Sequence, residues 1–94
     1  MCGQVGLMLG TSKRTRAELT YLAGLFAGVL KLSERRGRHA TGVALLKDDG
    51  ECRIHKNVVP ASEFVREAGY SEILNSLDSR TAVLMGHTRW ATVG

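Results

Sequence analysis

Proline occurs once in these 94 residues, no stretch is low in complexity, and no segment repeats another. Global disorder and a repeat array are therefore not expected. Long apolar runs are also missing. The longest uncharged stretch with helical spacing, Leu19 to Leu30, is too short to span a bilayer. The first basic residue, Lys13, follows the apolar start instead of preceding it, the reverse of a secretion signal. Cysteine is sparse. Cys2 and Cys52 lie fifty positions apart, with no CxxC or HExxH beside them. No zinc site is expected, and nothing points to an oxidising compartment that would favour a disulfide. The expectation is a soluble, cytoplasmic protein with reduced thiols and no membrane association.

Apolar residues make up 44% of the chain, enough for the core of one small domain. The net charge is +4. Much of the excess sits in Lys31, Arg35, Arg36 and Arg38, close to His39. Such a cluster would neutralise phosphates. Cations near a helix C-terminus are also favourable on their own account, and no aromatic side chain interleaves there to stack a base. The cluster reads as a solvated helix end, and nucleic acid is not an expected partner.

Residues 4–9 read as a buried strand. Thr15 and Glu18 have capping-box spacing, and Leu19, Leu22, Leu25, Phe26, Val29 and Leu30 continue at helical intervals, predicting a helix over about 16–34. Gly24 and Gly28 would let another backbone approach, most simply the sheet beneath. Strands are expected at about 41–47 and 51–56, joined by a hairpin turn at Lys-Asp-Asp-Gly. Helices follow at about 61–68 and 71–77, then a strand at about 81–90. The order β-α-β-β-α-α-β with hairpin pairing indicates an α+β fold.

Chemistry concentrates at the two ends. Processing removes an initiator Met when the next side chain is small, so the mature chain would begin at Cys2. A free α-amine titrates near roughly 7.7–8.0, and a useful fraction is unprotonated at neutral pH. It can take the thiol proton and return it to a leaving group, so one residue supplies nucleophile and base. Gly3 behind it permits close substrate approach. At the far end, "GHTRWAT" read as a strand puts His87 and Arg89 on one face with Val83 and Met85, and Thr88, Trp90 and Thr92 on the other. Arg89 on so apolar a strand needs an anion. Its planar fork suits a carboxylate ligand; an internal ion pair with Asp78 or Glu72 is the alternative. His87 is read as a hydrogen-bonded structural histidine, and Trp90 as core or pocket wall.

"MCGQVG", "RGRHATGVA" and "MGHTRWAT-x-G" together resemble class II glutamine amidotransferases, the N-terminal-nucleophile group, in order and rough spacing. The resemblance implies a four-layer αββα sandwich of two antiparallel sheets faced by helices. Residues 1–94 would form the N-terminal part of its glutaminase domain. It implies that Cys2 attacks the side-chain amide of L-glutamine to give a γ-glutamyl thioester. Arg89 would hold the α-carboxylate, Trp90 and Thr92 would line the pocket, and Arg36 would stand near the nucleophile. No cofactor and no metal are implied. Ammonia would pass to an accepting synthase domain or subunit, whose substrate the sequence does not name.

Two positions depart from the family. His39 stands where an acid is usual, which puts any ion pair to Arg36 in doubt, and Val93 stands where His is frequent. The family's oxyanion-hole Asn-Gly pair, and an Asp for the substrate amine, come after the Arg-Trp-Ala-Thr motif. One such oxyanion donor contributes roughly 10²–10³ in rate. The expectation is a 94-residue piece incomplete by itself, with a truncated relative that binds an amino acid or protein without turnover as the second reading. A basic nucleic-acid-binding protein is the third. The oligomeric state stays open, a homodimer included, because a sheet edge cut after Gly94 would template self-pairing.

Overall fold

The computed structural model describes residues 2–10 and 12–90. Within them the chain runs β1 (Cys2–Met8), α1 (Arg16–Leu32), a 3-10 turn (Ser33–Arg36), β2 (Ala40–Lys47), β3 (Cys52–Asn57), α2 (Ala61–Phe64), α3 (Ala68–Asn75) and β4 (Thr81–Arg89). α1 begins where the capping box predicts. The Thr15 hydroxyl accepts from the Glu18 amide at 3.1 Å, and the Glu18 carboxylate accepts from the Thr15 amide at 3.0 Å. Two of the orphan donors at the helix start are thereby satisfied. The β2–β3 hairpin turns through Asp48 and Asp49 to Gly50, whose φ of 94° is left-handed backbone that glycine adopts without a steric penalty.

All four strands join one antiparallel sheet in the order β1-β4-β2-β3, so the last strand inserts between the first and second. Alternation along β4 divides the sheet faces. Leu84, Gly86 and Thr88 are buried, whereas Met85, His87 and Arg89 are exposed. The helices pack on the first face. Phe26 and Leu30 of α1, Phe64 of α2, and Tyr70 and Ile73 of α3 form one core with Val43, Leu45 and Leu84 of the sheet. Each fully buried side chain of this size contributes about 1.5–3 kcal/mol by leaving water. The other face stays open: Met85 is 54% and Ile54 67% exposed.

The four-layer αββα sandwich implied by the family resemblance is therefore not the architecture of this chain. Four strands make one sheet, helices cover one face, and no strand among the described residues remains to build a second sheet. The described residues form two layers. Smaller differences concern boundaries. β1 starts at Cys2 rather than 4, because it pairs with β4 as far as Arg89 despite its two glycines. α1 ends at Leu32 and tightens into the 3-10 turn, where the Ser33 hydroxyl donates back to the Val29 carbonyl at 3.1 Å.

Candidate functional site

The two ends of the sequence meet at one corner of the sheet. In the β1–β4 register Cys2 stands directly opposite Arg89, and in the β2–β4 register Arg89 stands opposite Ala40. Side chains paired this way have Cβ atoms about 4.5–5.5 Å apart. Cys2 and Arg89 both point to the open face and both are exposed. The internal ion pair is not made. Asp78 sits at the opposite end of β4 and accepts from Lys47 Nζ at 2.9 Å, while Arg89 forms no ion pair among the described residues. Its guanidinium is free to meet a ligand, though in an exposed setting and not in the apolar one its neighbours suggested.

Backbone packing fixes this corner. A Cβ at Gly37 would lie 2.4 Å from the backbone of Arg89, so only glycine lets the loop after the 3-10 turn lie against β4. The His39 amide donates to the Arg89 carbonyl at 3.1 Å, and the buried Thr88 hydroxyl donates to the Ser33 carbonyl at 2.8 Å. On the helical face, a Cβ at Gly3 would meet Thr88 Oγ1 at 2.7 Å and Arg36 Cβ at 3.1 Å. Arg36 is thus rooted beside the nucleophile's strand but on the face opposite the Cys2 side chain. Trp90 is half-buried, its ring edge-to-face with His39 at 4.7 Å. His39 therefore occupies the acid's usual place as a ring partner of Trp90. Thr92 and Val93 lie outside the described residues.

One step inward from Cys2 and Arg89, Gln4 pairs with His87. There the open face holds a depression of about 190 Å³, walled by Gln4, His87, Met85, Ile54 and Ala44. It is smaller than the about 300–1,000 Å³ of pockets for drug-sized ligands, which suits a small one. His87 is not the hydrogen-bonded histidine expected. Its ring lies across Gly42, where a Cβ would be 2.5 Å from Cε1, and it makes no hydrogen bond among the described residues. A larger cleft of about 510 Å³ opens elsewhere, between the end of β1 and the start of α1, lined by Met8, Leu9, Tyr21 and Leu22. Arg14 lines it too and clips two loops together, its amide donating to Ser79 Oγ at 2.9 Å and its guanidinium to the carbonyls of Asp78 and Gly10. Sequence reasoning missed Arg14, because its partners at 78 and 79 are distant in the chain and no local spacing marks them. The cleft is remote from Cys2 and has no part in that corner.

Cys52 occupies the opposite edge strand at the hairpin end, cross-strand from Leu46. Three strand spacings, about 14 Å, separate the edges, so the two free thiols cannot bridge. Among the described residues no three His, Cys, Asp or Glu side chains gather to hold a metal ion, and no helix is long and apolar enough to cross a membrane. Glu34, the acid nearest in sequence to the arginine cluster, bonds to Ser62 and also feels the charge of Arg38. Its carboxylate accepts from the Ser62 amide at 3.0 Å and the Ser62 hydroxyl at 2.7 Å, which hold it below the ordinary carboxylate range.

No family model matches this chain. Among curated proteins it is similar to the glutamine–fructose-6-phosphate aminotransferase (isomerizing) of Aeropyrum pernix strain K1, with 36% identity over all 94 residues. The chain spans 13% of that protein's length. Among solved structures its fold is similar to a chain from a complex of a β-clamp processivity factor and the little finger domain of PolIV. The TM-score is 0.66 at 12% identity, covering 100% of this chain and 92% of that one. That likeness is one of fold alone, and it agrees with a small sheet carrying helices rather than a four-layer sandwich.

Proposed function

We propose that residues 1–94 are the nucleophile-bearing part of a glutamine amidotransferase of the class II kind. The observation that carries this reading is the cross-strand pairing of Cys2 with Arg89 on the open face. A nucleophile and a carboxylate clamp drawn from opposite ends of the sequence become neighbours there. The 36% identity to an aminotransferase named for glutamine supports it. After Met1 is removed, the Cys2 amine takes the thiol proton as sulfur bonds to the glutamine Cδ. The C–N bond then breaks, the same proton leaves with ammonia, and water later cleaves the thioester to glutamate. Arg89 holds the α-carboxylate through two parallel hydrogen bonds. Trp90, beside Arg89 in sequence, and Thr92, which lies outside the described residues, are assigned to the pocket by the family motif, and Arg36 borders the nucleophile's strand. Ammonia goes to an accepting synthase domain or subunit.

The test is covalent. A glutamine analogue with an electrophilic carbon at the δ position is expected to label Cys2 and spare Cys52. Cys52 is also exposed but has no amine beside it. Excess glutamine is expected to protect Cys2. Equal labelling of both thiols on peptide mapping, or labelling of Cys2 that glutamine does not slow, would defeat the assignment.

A further inference from the structure

The two ends of the sheet differ in charge balance. At the hairpin end charges neutralise one another: Lys47 pairs with Asp78 and Glu51, Arg53 with Glu51, and Arg80 with Asp48 and Asp49. At the other end Lys31, Arg35, Arg36, Arg38 and Arg89 are all exposed, and none forms an ion pair among the described residues. They are contiguous. Lys31 lies on the last turn of α1, Arg35 one turn further in the 3-10 turn, Arg38 just beyond it, and Gly37 packs on the backbone of Arg89. Of the nearby acids, Glu34 is hydrogen-bonded to Ser62 and offsets Arg38 only in part, and Glu63 sits in α2 beyond it. The sequence shows no aromatic side chain inside this cluster, but the fold brings one: Trp90 stands on the His39 ring at its margin.

We infer that this end of the molecule is a binding surface for single-stranded nucleic acid. Arg35, Arg38 and Lys31 meet successive phosphates, and the Trp90–His39 pair offers ring surface to a base. Arginine predominates, and its planar fork matches phosphate oxygens. These cations line none of the clefts described above and follow one another along the end of α1 and the 3-10 turn, which suits a polymer carrying a charge on every unit better than a single phosphate. Rings beside arginines favour unpaired bases over a duplex or an acidic peptide. The phosphate contacts are separate from the glutamine chemistry, since Lys31, Arg35 and Arg38 have no role in that reaction, whereas Trp90 is shared with the proposed glutamine site.

The experiment measures anisotropy of labelled oligothymidylate and oligouridylate of about ten nucleotides, within the site size of such surfaces, titrated with the full chain. Fluorescence of Trp90, the chain's one tryptophan, provides a second signal. Binding is expected with a slope of log K against log salt of about −2, as for three phosphates neutralised on a single strand. The Arg35→Ala, Arg38→Ala double variant is expected to bind at least about tenfold more weakly, with a slope shallower by about 1.4. Its thermal melt is expected to match that of the parent. The two oligonucleotides decide between DNA and RNA, and preference for either supports the surface. Absence of binding at about 50 mM salt, a slope near zero, or equal competition by polyglutamate or duplex of the same charge would each overturn it. Because the slope is read on the unaltered chain, the result stands even if the double variant misfolds.

Discussion

Arg89 illustrates how one side chain decides between readings. An arginine placed to balance Asp78 would be structural, and its loss would unfold the sheet. Asp78 instead holds Lys47, and Arg89 faces outward beside Cys2. Replacing Arg89 by Lys in glutamine-hydrolysing protein keeps the charge and loses the fork. The change is expected to weaken glutamine use by about 1.5–3 kcal/mol, the contribution of a charged hydrogen bond, or about 10–150-fold in kcat/KM. The loss belongs mainly in KM, because the α-carboxylate is remote from the breaking bond and is held alike in ground and transition states. Use of free ammonia by an attached synthase and the melting temperature are both expected to stay as they were. Steady-state kinetics with both nitrogen sources beside a thermal melt would expose an error: a parallel fall in ammonia use and melting temperature means that Arg89 is structural. The sequence made the pair legible only as two separate motifs. That Cys2 and Arg89 are neighbours depends on β4 inserting beside β1, a register no local pattern encodes. Arg36 shows the converse. It opens the Arg-Gly motif in the sequence, yet its root on the helical face depends on a 3-10 turn stacked against Gly3.

At the scale of elements, the features set by local chemistry were the ones readable in advance. The start of α1 follows from Thr15 and Glu18, and the β2–β3 turn follows from Asp-Asp-Gly. Features set by tertiary contact were not. The break between α2 and α3 falls at Val65–Glu67, where nothing in the sequence interrupts a helix. α3 then takes in Gly69 as its second residue, whereas the sequence pattern leaves it between two helices. Glycine fits there because the His55 ring lies 2.6 Å from where its Cβ would be. Gly24 and Gly28 were expected to sit close against the sheet, and they do not. Each precedes a core residue, Phe26 or Leu30, by two positions, about 200° around the helix. They therefore lie on the outer side, where an added Cβ meets nothing within 4 Å. Gly24→Ala and Gly28→Ala are expected to stabilise the chain by about 0.5–1 kcal/mol each, through lower backbone entropy in the unfolded state. That is a rise of several degrees in melting temperature for a domain of this size. Denaturant titration would check it, and a lower midpoint would mean that another surface occupies this flank of α1.

Over the whole molecule, three carboxylates tie separate elements to the sheet, and each makes folding sensitive to acid. Glu67, at the start of α3, accepts from the β3 residues His55 at 2.9 Å and Asn57 at 2.6 Å. Glu34 joins the 3-10 turn to α2 through Ser62, and Asp78 joins the base of β4 to Lys47 of β2. All three are held below their ordinary values of 4.5 for Glu and 3.8 for Asp. The main causes are the hydrogen bonds from His55, Ser62 and Lys47 respectively. A carboxylate depressed in the fold binds protons more readily once unfolded. The stability it contributes is therefore complete above the unfolded value and is lost as pH falls through the folded one. Acid also removes the negative charge that offsets the basic end, leaving Lys31, Arg35, Arg36, Arg38 and Arg89 to repel one another. The melting temperature is expected to be level from neutral pH to about 5 and to fall progressively below about 4. The Glu34→Gln, Glu67→Gln, Asp78→Asn variant is expected to melt lower than the parent at neutral pH and to lose less on acidification, because the linked protons are gone. Melts across this range, for parent and variant together, test the linkage. Parallel curves with the same acid slope would mean that these three carboxylates do not couple folding to protonation.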